Sequence, residues 1–540
     1  MKIYGKIIDI FEKEIYKGYL EIEGKNIKDV VREENSEERY IVAGLIDSHI
    51  HIESSMLVPS RFAEKAVQHG TVAVVSDPHE IANVMGMEGV NFMIENGKRV
   101  PMKFYLGAPS CVPATKYETS GGKIDVEELK VLLGKEEIKY LSEMMNFPGV
   151  VNEDSQVMEK IQIAKEMNKP VDGHAPGLRG KKLEKYIRAG ISTDHESISL
   201  DEAREKIEKG MKIQIREGSA ARSLDSMHYL IAESAEKLML CSDDLHPEML
   251  DKGHINLLVK RLLALGYDIF DILKVVIINP VDHYDLDVGM LRRGDSADFI
   301  IIDNPFEFNI QETWIEGQKV CDGKNVSFES PPVTKVNNFN SGIIKHSDIE
   351  VRNKKGGIRV IEAFDGELVT GTYEWSVPHE GEMMESNTDE DILKIVVKDR
   401  YKDSKPAVAF VKGFGLKKGA FASSVAHDSH NIIAVGTDDT SICNAVNRIV
   451  EMQGGLVACK DDNCSEIPLE IGGIMSDVPC GTMAEKYKKL TDIVQDMGCK
   501  LKSPFMTLSF MALLVIPELK ISDKGLFDVN KFEFVELTLI

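Results

Sequence analysis

Long apolar runs, cysteine and positive charge are all scarce in this sequence, and each scarcity excludes something. The opening stretch MKIYGKIIDIFEKEIYKGYLEIEGK alternates apolar and charged residues and holds no uninterrupted apolar run of signal-peptide length. It reads as β-strands of the mature protein. The most apolar late segment, MTLSFMALLVI (Met506 to Ile516), is too short to cross a bilayer and reads as a piece of core. The eight cysteines are scattered over 540 residues without paired spacing. Cys459 and Cys464 flank KDDN, but no second pair completes a zinc knuckle, so the set reads as unpaired cytosolic thiols. Lys and Arg number 65 against 88 Asp and Glu, a net charge of −23 that opposes docking on a phosphate backbone or an anionic lipid surface. The GGIMSDVPCG glycines (Gly472 to Gly481) suit a tight turn, and nothing there resembles a phosphate-binding Gly-x-x-x-x-Gly-Lys loop. These absences point to a cytoplasmic chain that partners with neither nucleic acid nor membrane and leaves small neutral or cationic ligands open.

What is present is patterned. Hydrophobic residues make up 43% and charged residues 28%, enough for a full core, and the length suits three or four domains or one large α/β barrel with additions. From Tyr40 to about Asp285, short apolar runs that end in polar residues alternate with stretches of helical spacing. The runs are Ile41 to His51, Gly70 to Glu80, Met102 to Ser110, Ile138 to Met145, Lys169 to Gly177, Gly190 to Ser197, Gly210 to Ser219 and Lys237 to Asp244. Continuous apolar runs are the mark of buried parallel strands, and eight βα units close a (β/α)8 TIM-like barrel. The expected organisation is an α/β chain. Residues 1–42 and 286–340 form a composite β-sandwich, 43–285 the barrel, Pro331 to Gly342 a polar linker, and 345–540 a C-terminal α/β domain.

Polar residues gather at the C-terminal ends of these runs, where the βα loops of a parallel barrel converge on the active site. His49 and His51 are two apart on a strand and so share a face. Glu143 ends the fourth run, His174 the fifth, His195 the sixth and Asp243 the eighth. Six imidazole and carboxylate donors suit one or two divalent transition metals better than calcium or a thiolate zinc site. Alternation turns Asp244 to the other face and leaves Asp243 as the inward carboxylate.

VAGLIDSHIHIESS resembles the first-strand signature of the amidohydrolase superfamily. Across the whole chain, HIHIESSMLVPSRF, SDPHEIANVMG, SEMMNFPGVV, DGHAPGL, DHES, REGSAAR, CSDDLHP, ASSVAHDSHNIIAVG and LLVIPELKISDKGLFDV resemble the bacterial and archaeal adenine deaminases. The fourth strand ends in Glu143, where many binuclear relatives such as dihydroorotase carry a carboxylated lysine. His174-Ala175-Pro176-Gly177 stands where the nucleoside deaminases have His-Ala-Gly-Glu. The His-x-Glu plus Pro-Cys-x-x-Cys pattern of the cytidine-type enzymes is missing too.

The resemblance implies metal ligation by His49, His51, Glu143, His174, His195 and Asp243, with two ions per subunit of manganese or iron, zinc being acceptable. It implies hydrolysis of adenine to hypoxanthine and ammonia by metal-activated water in purine salvage, and a homo-oligomer. Asp243 is the expected proton carrier, and Glu217 and Glu196 are both candidates to protonate the ring. Glu53, Asp77, His79 and Glu80 lie near the barrel mouth, chiefly to orient ligands, and Arg216 and Arg222 are candidate contacts for the purine edge. His427, Asp428 and His430 read as a lid or interface element, with His430 able to reach the purine if that domain closes over the barrel. The alternatives are a superfamily hydrolase of a cyclic amide or N-acyl amino acid, and a non-catalytic barrel scaffold.

Overall fold

All eight apolar runs form parallel strands in the computed structural model, which describes residues 1–353, 356–376, 383–460 and 463–539. The first five are Leu45–Ile50, Thr71–Ser76, Lys103–Ala108, Ile138–Met144 and Val171–Gly173. The last three are Thr193–Asp194, Lys212–Arg216 and Leu238–Cys241. Single bridges, Val171 with Ile191 and Ile50 with Asp243, join the two groups into a closed ring. Every residue of the first two strands is buried, as continuous apolar runs demand when both faces are covered. The intervening helices start where the local chemistry tells them to. Asp125 and Glu128 form a reciprocal capping box ahead of Val126–Leu133, and Asp154 accepts from two backbone amides ahead of Ser155–Glu166.

The first run divides in two. Tyr40–Ala43 pairs outside the barrel, and the chain crosses to the first barrel strand at Gly44, where a Cβ would meet the Val72 side chain at 2.4 Å. Tyr40–Ala43 is the central strand of a seven-stranded sheet in which the N-terminal strands Lys2–Asp9, Glu14–Glu23 and Asn26–Arg32 lie on one side. Phe299–Ile302, Ile310–Ile315 and Gln318–Cys321 lie on the other. The two flanks of the barrel thus meet in one sheet.

Residues 331–342 hold no regular structure and run along the seam between barrel and C-terminal part. Val336 accepts from the Gly472 amide, and Asn338 donates to the Val84 and Gly121 carbonyls. Beyond the seam an eight-stranded, mainly antiparallel sheet carries the helices Asp439–Met452 and Cys480–Asp496. Among the described residues, no helix is long and apolar enough to cross a membrane.

One expectation needs correction. Cys459 and Cys464 form a disulfide, because the hairpin of Gly455–Lys460 and Asn463–Pro468 puts them directly opposite each other, a register that spacing alone does not reveal. Met506 to Ile516 is buried core, as its apolar run implied. It begins in the helix Pro504–Phe510, and Met506, Phe510, Leu513 and Ile516 make a separate apolar cluster that packs on Ala220 of the seventh barrel loop.

Candidate metal centre

The strand ends deliver their polar side chains to a single buried point. Glu143 sits at its middle. Its Oε2 lies 2.6 Å from His174 Nδ1 and 3.1 Å from His195 Nε2, and its Oε1 lies 3.4 Å from His51 Nε2 and 3.5 Å from His79 Nδ1. Asp243 Oδ1 lies 3.3 Å from His49 Nε2, 3.4 Å from His51 Nε2 and 3.9 Å from His195 Nε2. The His49 and His195 rings stack with centroids 4.1 Å apart. All six candidate ligands are under 9% exposed and face one another from strands far apart in sequence.

The electrostatics fit a cation. The cavity at this point is lined by the carboxylates of Glu80, Glu143, Glu196, Asp243, Asp244 and Asp428, with the Arg216 guanidinium among them. Buried carboxylates in that excess need positive partners. Burial by itself lowers an imidazole pKa, yet Glu143 outweighs it at His195 and pushes that group up to about 9. Burial raises a carboxyl pKa, yet His174 and His195 hold Glu143 well below the usual range, as Arg216, His49 and His51 hold Asp243. At the same time both ring nitrogens of His49, Nε2 of His174 and Nδ1 of His195 are buried without a hydrogen-bond partner. Imidazole nitrogens without partners, set among ionised carboxylates, are the donors a divalent transition metal takes. Three of the groupings able to hold an ion are His49 with His195 and Asp243, Glu143 with His174 and His195, and His51 with Asp77, His79 and Glu143.

The remaining candidates separate by position. Arg216 and Glu196 line the cavity and pair with each other, and Arg216 also reaches Asp243 Oδ2 at 2.5 Å. His79 lines the cavity and is oriented by Asp77, 3.0 Å from its Nδ1. Glu217 is a correction. It lies just past the strand Lys212–Arg216 and outside the lining, and its carboxylate is held by Arg261 at 2.5 Å, so it is not placed to protonate a ligand in the cavity. Arg222 is likewise outside the lining and donates to the Gly218 carbonyl at 3.0 Å. Glu53 is buried behind the mouth and accepts from the Ile81 amide. Asp244, expected to face away, lines the cavity and accepts from Ser54 Oγ at 2.5 Å. Asp243 lies beyond the strand end with φ of 55°, in the left-handed region, so strict alternation has already stopped there.

The C-terminal part covers the mouth. His427 and Asp428 line the cavity, and Glu80 joins the two parts by accepting from His427 Nδ1 at 2.6 Å and from His430 Nε2. His430 therefore stands one layer behind the wall. Met145, Leu368, Phe510, Leu513 and Ile516 complete the lining with apolar side chains. The last four were not apparent as site residues. For Phe510, Leu513 and Ile516 the one signal was the apolar run Met506 to Ile516, which local pattern cannot tell from core, and Leu368 had none.

Known proteins place the chain. The amidohydrolase family model matches residues 40–320, and the adenine deaminase C-terminal domain matches 367–533. The adenine deaminase of Methanosarcina mazei is 50% identical over 550 residues, 99% of this chain and 99% of its own. That of Salinibacter ruber is 48% identical over 536 residues, 99% of this chain and 98% of its own. That of Borreliella burgdorferi is 46% identical over 543 residues, with 99% coverage of both. Likeness at that level, running through the barrel, its flanking sheet and the part that roofs it, makes this chain a member of the adenine deaminase family of amidohydrolases.

Proposed function

We propose that this chain hydrolyses free adenine to hypoxanthine and ammonia, with His49, His51, Glu143, His174, His195 and Asp243 holding two divalent transition metals, manganese or iron being the favoured pair and zinc acceptable. The observation that carries the reading is Glu143, whose two oxygens face two different groups of histidines, so that carboxylate and imidazole donors able to hold divalent ions stand together in one buried cluster. Bound ions of this kind polarise water and bring its pKa from 15.7 toward about 7, so that a nucleophile exists at neutral pH. The chain's own residues do the rest. Asp243 keeps one oxygen toward His49 and His51 and the other on Arg216, which fixes the carboxylate beside the attacking water to accept its proton and hand it to the leaving amine. Arg216 and Glu196 hold one another in the wall, and His79 is fixed by Asp77, so the edge of a bound base meets groups with set orientations. The proposed setting is cytoplasmic, as part of purine salvage, and the proposed assembly is a homo-oligomer.

The purified protein should contain about two equivalents of transition metal per chain, and it should release ammonia from adenine while leaving adenosine and cytosine unchanged. Metal analysis alongside an ammonia assay measures both. A protein without transition metal, or one that turns over adenosine and not adenine, overturns the proposal.

A further inference from the structure

The cavity has two unlike halves. The barrel supplies the ionisable floor together with Met145, and the C-terminal part supplies His427, Asp428 and an apolar roof of Leu368, Phe510, Leu513 and Ile516. Phe510 stacks on His427 with centroids 4.6 Å apart and planes at 12°, and the roof rests on Ala220 of the seventh barrel loop. The two roof segments are tied together by one side chain. Lys520 is fully buried and donates to the Leu368 carbonyl at 2.7 Å and to the Phe510 carbonyl at 3.0 Å.

On a purine, C6 and N9 lie at opposite ends of the bicyclic ring. Chemistry at C6 places that carbon at the floor, beside Asp243, which turns N9 toward the roof. We propose that the roof of Leu368, Phe510, Leu513 and Ile516, held in place by Lys520 as a positioning residue, is the specificity determinant that admits purine bases bare at N9 and excludes those substituted there. This rests on the proposed deamination of adenine. The barrel performs the chemistry, and the C-terminal part decides what reaches it. A methyl group fitted or refused by an apolar pocket is worth roughly 10–200-fold, so even 9-methyladenine is a sufficient probe.

The test compares adenine with 9-methyladenine and adenosine on the metal-loaded, full-length wild type and on Phe510→Ala, Leu513→Ala, Ile516→Ala and Lys520→Met. It reads kcat/KM by ammonia release and Kd by equilibrium dialysis. Wild type is expected to discriminate against both N9-substituted purines. At least one roof truncation is expected to raise the 9-methyladenine-to-adenine ratio roughly tenfold or more, while the KM for adenine rises. Lys520→Met should move the same ratio in the same direction, which mere loss of folded protein would not do. A wild type that accepts 9-methyladenine as well as adenine, or a ratio unmoved in all four variants, overturns the inference. A wild type that binds adenine but releases no ammonia overturns the deaminase reading instead, and the Kd ratios then decide the roof. A wild type that binds neither base overturns both.

Discussion

Asp243→Asn is expected to lower kcat for adenine by about 10²–10⁴-fold, the usual worth of a positioned general base, while most of the metal stays bound. The change keeps the shape of the side chain. The amide oxygen still faces His49 and His51, and the five other proposed ligands are untouched. What is lost is the site that carries a proton, together with half of the charge balance around Arg216, which retains Glu196 as its partner. KM for adenine should change far less than kcat, because the lost interaction belongs to the transition state. Steady-state kinetics paired with metal analysis checks this. A variant that keeps its metal and stays within a factor of a few of wild-type kcat would show that the proton is carried elsewhere.

Lys206→Met should destabilise the barrel by about 3–5 kcal/mol, the cost of removing one partner from a buried ionic network. At this size that is a fall of roughly 6–20 °C in Tm. Lys206 is fully buried on the helix Leu200–Glu208, and its ammonium lies within hydrogen-bond distance of four groups that share its three protons. They are the Ala175 carbonyl and Asp194 Oδ2 at 2.8 Å, Glu202 Oε1 at 2.6 Å and Ser197 Oγ at 3.2 Å. Ala175 follows His174, and Asp194 precedes His195. The same Asp194 accepts from the Ala175 amide at 2.9 Å, so one ammonium fixes the two loops that carry both histidines. Without it, two carboxylates stay buried and uncompensated, and the loops lose their common anchor. Thermal unfolding measures the loss, and metal content of the folded fraction should fall with it. Adding Asp194→Asn to Lys206→Met should return part of the stability by removing one orphaned charge. A single variant that melts within about 1 °C of wild type would show that the network contributes little.

The parts legible in the sequence are those written locally. Each barrel strand is a short apolar run because both of its faces are covered, and that pattern needs no knowledge of the partner strand. The polar residue that ends each run was readable for the same reason, and a closed parallel barrel brings such ends together by topology. So His49, His51, Glu143, His174, His195 and Asp243, scattered over nearly two hundred positions, are legible as one set in the sequence alone.

Other features depended on contacts that no local pattern encodes. Glu217 and Glu196 were equal candidates in the sequence, and what separates them is that Arg261 holds Glu217 from outside the barrel while Glu196 lines the cavity. Asp244 enters the cavity because the backbone turns left-handed at Asp243, beyond the strand where alternation holds. Cys459 and Cys464 pair because a hairpin register sets them face to face. Glu80 and His79 become parts of the wall only when His427, Asp428 and His430 arrive from the other side of the molecule.

The sequence by itself determined the barrel and the donors of its floor, since burial on both faces and strand periodicity act over a few residues. Tertiary structure alone decided the roof. Leu368, Phe510 and Leu513 read as ordinary apolar residues until packing sets them over a barrel mouth more than a hundred residues earlier in the chain. An apolar side chain carries no mark of whether the surface it will cover is core or ligand.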